Sequence, residues 1–250
     1  MPKFAANLTM LFTEFPEIER YEAAAEAGFD RVEVLFPYDV PAPDTRRELV
    51  RNGLSLALIN CPPPNYTGGE RGFAAVPGLS ERFQRDFRRT LRYAEALGAD
   101  VVHIMAGAAS GEAARATFVE NLKWACAFAP KQQLTIEPIN DVDMPGYFLN
   151  SFDLAAEILD AVNAPNLALQ FDTYHAHRIH GDVLACWDKH KARVKHIQIG
   201  GLPDRHEPLK SKHLDYPAFF EMLDASGYAG TVSAEYNPRK RTDQGLDWRG

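Results

Sequence analysis

The chain predicts an α/β fold, a single (β/α)8 barrel, and three observations carry that prediction. Eight short apolar runs alternate with longer amphipathic stretches along all 250 residues. That length is what one such barrel occupies. No linker, low-complexity segment or shift in composition divides the chain, so residues 1–250 read as one domain. A doubly wound open sheet is the alternative, but no glycine-rich phosphate loop follows the first strand.

The strands are expected at Lys3–Leu8, Arg31–Leu35, Ser55–Asn60, Val101–Ala106, Leu134–Glu137, Leu167–Asp172, Val194–Ile199 and Thr231–Tyr236. Several are nearly continuous in apolar residues, as parallel strands buried on both faces require. Between them, Pro16–Ala27 carries Ile18, Tyr21 and Ala25 near helical spacing, and Gly28 stands where a C-terminal cap belongs. Cys61–Gly78 is rich in Pro and Gly and reads as a loop covering the barrel mouth. Ser80–Leu97 puts Phe83, Phe87, Leu91 and Ala94 on one stripe, and Gly98 ends it. Ser151 can cap Phe152–Val162, and Gly227 stops Pro217–Ser226. These stripes read as core packing against the barrel. Past Tyr236 the chain runs only to Gly250, so the eighth helix is expected to be short or missing.

Composition narrows the partners. Apolar residues make up 46% and charged residues 24%, an ordinary globular balance. Lys and Arg number 27 against 34 Asp and Glu, a net charge of −7 that argues against a nucleic-acid partner. A small anionic substrate remains compatible, because a few cations in a cleft override the global sign. Cys61, Cys126 and Cys186 are far apart and form no zinc or disulfide framework. No apolar run reaches membrane-span length, and the N-terminus lacks a signal-peptide cleavage region. A cytoplasmic protein without a membrane partner is expected; a homo-oligomer stays open.

Barrel active sites form at the C-terminal ends of strands. There stand Glu137, Asp172, Gln198 and Glu235, separated by 35, 26 and 37 residues, each close to one β/α unit. Four neighbouring strands therefore aim oxygen donors into one mouth. Three converging carboxylates repel unless a cation lies between them. An all-oxygen set suits one hard divalent ion, Mg2+ or Mn2+, better than zinc or copper. The plainer reading is that each acid pairs with its own Arg or Lys at the rim. Glu137 and Glu235 come from strands three apart and can flank a substrate. One can remove a proton α to a carbonyl and the other return one to the adjacent carbon, through an enediolate that a metal stabilises.

At these residues the sequence resembles the hydroxypyruvate isomerase family, within the xylose-isomerase-like barrels. The resemblance spans Pro2–Leu8, Glu22–Tyr38, His103–Gly107, Glu137-Pro138-Ile139-Asn140, Asp172-Thr173-Tyr174-His175, His196–Ile199, Arg205-His206-Glu207-Pro208, Glu235-Tyr236 and Gly245–Trp248. It implies that Glu137 and Glu235 are the paired proton donor and acceptor. It implies that Glu137, Asp172, Gln198 and Glu235 hold the metal, that His175 contacts a substrate hydroxyl, and that Arg205 binds substrate oxygens. The implied reaction is aldose–ketose isomerisation of a small hydroxy-keto acid, hydroxypyruvate to tartronate semialdehyde. A 2-oxo-tetronate isomerase is the near alternative, and Asp143–Leu149 after Glu-Pro-Ile-Asn fits that branch. Sugar C3-epimerases of the superfamily place His where Gln198 stands. The departure lies after Pro208, where relatives carry a Gly-rich stretch ending Gly-Glu and this chain has Lys212-His213.

Other residues carry weaker expectations. His103 either donates to substrate or is a satisfied core histidine. Glu33, His206 and Asn7 are expected to support the site without touching substrate. His196 reads as structural, and Arg239 and Lys240 as a solvated run. Tyr66, Phe12 and Trp248 are candidate pocket walls, with packing the plainer reading. A DNA-repair endonuclease would need several zinc ions on many histidines and a basic face, which eight scattered histidines in an acidic chain do not supply. A non-catalytic binding protein would leave both glutamates unexplained.

Overall fold

The computed structural model describes residues 2–64 and 71–249. Nine parallel strands form one sheet: β1 (Lys3–Asn7), β2 (Arg31–Glu33), β3 (Ser55–Leu56), β4 (Leu58–Cys61), β5 (Val101–Ile104), β6 (Gln133–Ile136), β7 (Leu167–Asp172), β8 (Val194–Ile199) and β9 (Thr231–Ala234). Their order is β3-β2-β1-β9-β8-β7-β6-β5-β4. The two ends of that order are successive pieces of one segment, joined at Ala57. The expected strand Ser55–Asn60 is therefore split. The Ala57 N–H donates to Val32 O at 2.8 Å on β2, while its carbonyl accepts from Val101 N at 3.0 Å on β5. With its two polar groups facing opposite neighbours, Ala57 breaks the ladder and joins the two edges of the sheet. The result is a barrel of eight staves.

Among the described residues eight α-helices surround it: α1 (Arg20–Glu26), α2 (Ala42–Arg51), α3 (Ser80–Leu97), α4 (Gly111–Phe128), α5 (Phe152–Val162), α6 (Thr173–His180), α7 (Val183–His190) and α8 (Tyr216–Ala225). The expected stripe of α3 is buried at Phe83, Phe87, Leu91 and Ala94, and Gly98 ends the helix in the left-handed region at φ 71°. Ser151 Oγ accepts from Leu154 N at 3.4 Å, the cap expected for α5. The first helical stretch is shorter than its sequence pattern, with a 3-10 turn at Glu17–Glu19 before α1.

Among the described residues no α-helix follows β9. Two 3-10 turns, Thr242–Gly245 and Asp247–Arg249, stand in its place. They are tied to the start of the chain. Thr242 Oγ1 accepts from Phe12 N at 2.6 Å. Trp248 meets the ring of Phe4 edge-on, with centroids 5.2 Å apart. Trp248 and Phe12 thus belong to the core, and Tyr66 lies outside the described residues.

The covering segment is pinned where it is described. Gly72 and Gly107 cross backbone to backbone at φ 96° and 92°. A Cβ on Gly72 would stand 2.7 Å from Gly107 N, and one on Gly107 would run into the Gly72 carbonyl. Ala75 N donates to Ala106 O at 2.7 Å just beyond β5, completing the anchor. Among the described residues no helix is long and apolar enough to cross a membrane.

Candidate active site

β6 and β9 end one residue before Glu137 and Glu235, so both glutamates sit where the chain leaves the barrel. Asp172 and Gln198 are still inside β7 and β8, paired in register. Strand alternation turns all four toward the barrel axis. A cavity of about 130 Å3 opens there, lined among others by Glu137, Gln170, His175, Gln198, Arg205 and Glu235. That volume lies well below the roughly 300–1,000 Å3 of pockets for larger ligands.

The floor is a polar network. Glu33 Oε1 accepts from Asn7 Nδ2 and from Gln198 Nε2, each at 2.7 Å. Its Oε2 lies 2.6 Å from His196 Nε2. A carboxylate with this little exposure persists only when its oxygens are satisfied, and three partners do so. Asn7 and Glu33 therefore hold Gln198 from below. Gln170, to which sequence reasoning gave no role, joins the halves of the network. Its Nε2 donates to Glu137 Oε2 at 3.0 Å and to Gln198 Oε1 at 2.7 Å, and its Oε1 accepts from Thr135 at 3.0 Å. Its signal was available: Gln170 stands two residues before Asp172, hence on the same face.

Arg205 lies among the acids. One Nη2 donates to Asp172 Oδ2 at 2.9 Å and to Glu235 Oε1 at 3.0 Å. Its guanidinium rests 4.8 Å from the centre of the Tyr174 ring, and its backbone is in the left-handed region at φ 58°. It answers in part the repulsion anticipated from the sequence, since an internal cation bridges two of the three carboxylates.

Burial, then the charge of Glu235 and Asp172, holds the Glu137 carboxyl well above the ordinary range. Burial pushes Glu235 up to about 8, with Arg205 opposing and Asp172 and Glu33 adding to the rise. Asp172 is raised by burial only to about 6, because Arg205 and the backbone N–H groups of Tyr174 and His175 favour its charged form. Burial lowers His103 to about 3, and burial with Arg205 lowers His175 well below its usual value, so both rings are neutral at pH 7.

His103 Nδ1 lies 3.1 Å from Asn60 Oδ1 and 3.6 Å from Glu137 Oε2, while its buried Nε2 has no hydrogen-bond partner. His175 Nε2 lies 3.6 Å from Asp172 Oδ2 and 3.9 Å from Glu137 Oε1. His206 is outside the cavity lining and sits with Nδ1 2.7 Å from the carbonyl of Asn237. His213 meets the ring of His177 at 4.5 Å, away from the lining, so the Lys212-His213 departure does not touch the cavity. Arg239 pairs with Glu207 at 3.1 Å.

The residues fit a divalent ion. Glu137, Asp172 and His175 bring potential ligand atoms within 4.8 Å of one another. Glu235 Oε2 is buried without a partner, an orphaned oxygen at the same mouth. Gln198 Oε1 accepts one hydrogen bond and keeps a second lone pair.

An eight-stave barrel whose mouth gathers buried acids, amides and one arginine has the organisation of a barrel enzyme. Residues 21–249 match the family described as xylose isomerase-like TIM barrel, and the chain belongs to that family. It is 46% identical to the 2-oxo-tetronate isomerase of Cupriavidus necator, over 99% of this chain and 97% of the relative. It is 37% identical to the hydroxypyruvate isomerase of Escherichia coli, over 99% of this chain and 98% of that one. A crystal structure from Brucella melitensis titled AP endonuclease, family 2, superposes with a TM-score of 0.94 at 43% identity, over 99% of this chain and 98% of that one.

Proposed function

We propose that the chain interconverts a 2-oxo-tetronate with its 3-oxo isomer. The coarser statement, an isomerase of small hydroxy-keto acids, stands on the full-length isomerase relatives. The observation that carries the proton-transfer reading is the pair Glu137 and Glu235, both lining one cavity of about 130 Å3. The branch is chosen by identity: relatives named 2-oxo-tetronate isomerase share 40–46%, one named hydroxypyruvate isomerase 37% and others named putative hydroxypyruvate isomerase 36–38%.

Glu137, Asp172, Gln198 and Glu235 would hold a divalent ion, which supplies Lewis acidity toward the substrate oxygens. The rest falls to the chain. One glutamate carboxylate takes the proton from C3, and the C–H electrons become the C2–C3 double bond of an enediol. The other glutamate, protonated, delivers a proton to C2. A second proton passes from the C3 oxygen to the C2 oxygen, so no atom is gained or lost. In the metal-free chain burial raises both carboxyls, Glu235 to about 8, which favours the protonated form that a donor needs. Gln170 holds Glu137 by its Oε2 and so sets the direction of that carboxyl.

Hydroxypyruvate is the second reading, since the same step on a chain one carbon shorter needs the same groups. A panel of hydroxypyruvate, both 2-oxo-tetronate enantiomers and abasic-site DNA, each with and without a chelator, tests all three readings. Chelator-sensitive turnover highest on a 2-oxo-tetronate is expected. Preference for hydroxypyruvate moves the assignment to the shorter acid. Strand cleavage without isomerisation would replace it with the endonuclease reading, against which the net charge of −7 argues.

A further inference from the structure

Asn140 does not line the cavity, yet its side chain is fully committed. Its Oδ1 accepts from Val142 N at 3.1 Å and from Asp143 N at 3.0 Å. Those two backbone donors fix which end of the amide is oxygen. Its NH2 group therefore points the other way, 3.2 Å from Asp143 Oδ2 and 2.7 Å from His175 Nδ1. The Asn140 backbone N–H also aims at His175 Nδ1, at 3.4 Å. Two donors converge on one ring nitrogen, and a nitrogen facing donors must be the lone-pair nitrogen.

We infer that Asn140 is a positioning residue that fixes His175 as its Nε2–H tautomer, so that His175 serves the cavity as a hydrogen-bond donor and neither as a base nor as a metal ligand. Nε2 faces the mouth, and its two nearest acids stand at 3.6 and 3.9 Å, beyond hydrogen-bond length. The N–H is therefore left for an atom in the cavity. A nitrogen that carries a proton has no lone pair for an ion, so the cluster of Glu137, Asp172 and His175 contributes only its two acids. The donor would meet a substrate oxygen, the one point at which the inference rests on the isomerase reading.

The first test uses the metal-free protein labelled with 15N at histidine, in which two-bond proton–nitrogen correlations report the tautomer without any turnover. His175 Nδ1 is expected unprotonated and Nε2 protonated. The reverse pattern overturns the inference whatever the substrate proves to be. The second test replaces the amide by its isostere. Asn140→Asp keeps the oxygen that holds the turn at Val142 and Asp143 but turns the donor into an acceptor. It is made in an Asp143→Asn background, so that no like-charge pair forms. Asp143→Asn alone should leave Nδ1 unprotonated. In the double variant the proton should move to Nδ1, because the side chain that faces it then accepts instead of donating. Turnover should fall about 100- to 1,000-fold, the scale of losing one aimed donor. An Nδ1 that stays bare in the double variant overturns the role of Asn140, and a moved proton with undiminished turnover overturns the role of the His175 donor.

Discussion

The two halves of the barrel mouth do different work. From β6 to β9 the cavity wall carries Glu137, Asp143, Gln170, His175, Gln198, Arg205 and Glu235, with Ile139 and Met144 its apolar members and Asp172 bonded to Arg205 behind them. From β1 to β5 it is Leu35, Phe36, Asn60, His103 and Met105, apolar or neutral, since His103 is uncharged at pH 7. Arg71 at the lip is the exception. The acids that face the cavity gather on contiguous staves, where Gln170 links Glu137 and Gln198 across neighbouring strands, while Glu33 reaches Gln198 across the barrel from β2. The facing wall is left to define size and shape. Chemistry should therefore break on one side and selectivity on the other.

The largest effects belong to the charged half. Glu137→Gln and Glu235→Gln keep size and a ligand oxygen but cannot exchange a proton. Each should lower kcat by about 100- to 10,000-fold, the usual contribution of a positioned acid or base, while calorimetry still detects substrate binding. Normal turnover in either variant would erase the division between the halves.

Arg205 comes next. It occupies Asp172 and Glu235, two of the acids that would hold the proposed ion. Arg205→Met should lower kcat/KM by roughly 10- to 100-fold through a lost charged hydrogen-bond donor. The same variant should bind Mn2+ about tenfold more tightly when substrate is absent, because a competing cation is gone. Weaker Mn2+ binding would show that Arg205 supports the ion rather than competing with it.

A third effect appears with pH. The Glu235 carboxyl is raised from 4.5 to about 8, so the neutral form is the one the fold favours. That stabilisation is complete below the ordinary value and is lost as pH rises through the folded one. The metal-free protein should therefore lose a few degrees of Tm between about pH 5 and pH 8. Saturating Mn2+ should reduce the loss, because an ion favours the charged form of the carboxylates that hold it. A metal-free Tm that rises over this range would contradict the burial argument.

The neutral half should give smaller changes. Leu35→Ala enlarges the cavity beside the substrate and should shift the ratio of kcat/KM for four- and three-carbon acids by about tenfold, without abolishing either. Smallest of all, Lys212→Gly with His213→Glu should alter kcat/KM less than about threefold, since neither residue lines the cavity. A large effect there would extend the site beyond the mouth.

The charged half was also the more legible one. Glu137, Asp172, Gln198 and Glu235 recur near the period of a β/α unit, and strand alternation turned that spacing into convergence. Side-chain bonds across staves were not legible in the same way. Gln170 bridges Glu137 and Gln198 only because of the register between β6, β7 and β8. Asn140 reaches His175 across 35 residues, after a turn that its own side chain makes. The break at Ala57 was hidden because Ser55–Asn60 is apolar throughout the region where the partner changes. The eighth unit was readable from the little chain left after Tyr236, but its two 3-10 turns were not.

The register of the last strand also sets an order of assembly. β9 lies between β1 and β8, and Lys3 pairs with Thr231. A chain emerging from a ribosome exposes β1 first, and one edge of β1 waits until nearly the whole sequence has been made. Through that interval the N-terminal staves form an open sheet with an unpaired edge, the geometry most exposed to aggregation. Completion falls to the C-terminal residues, since Thr242 and Trp248 then fasten the first and last units together. A nascent chain stalled before Thr231 carries most of the barrel's sequence and none of its closure.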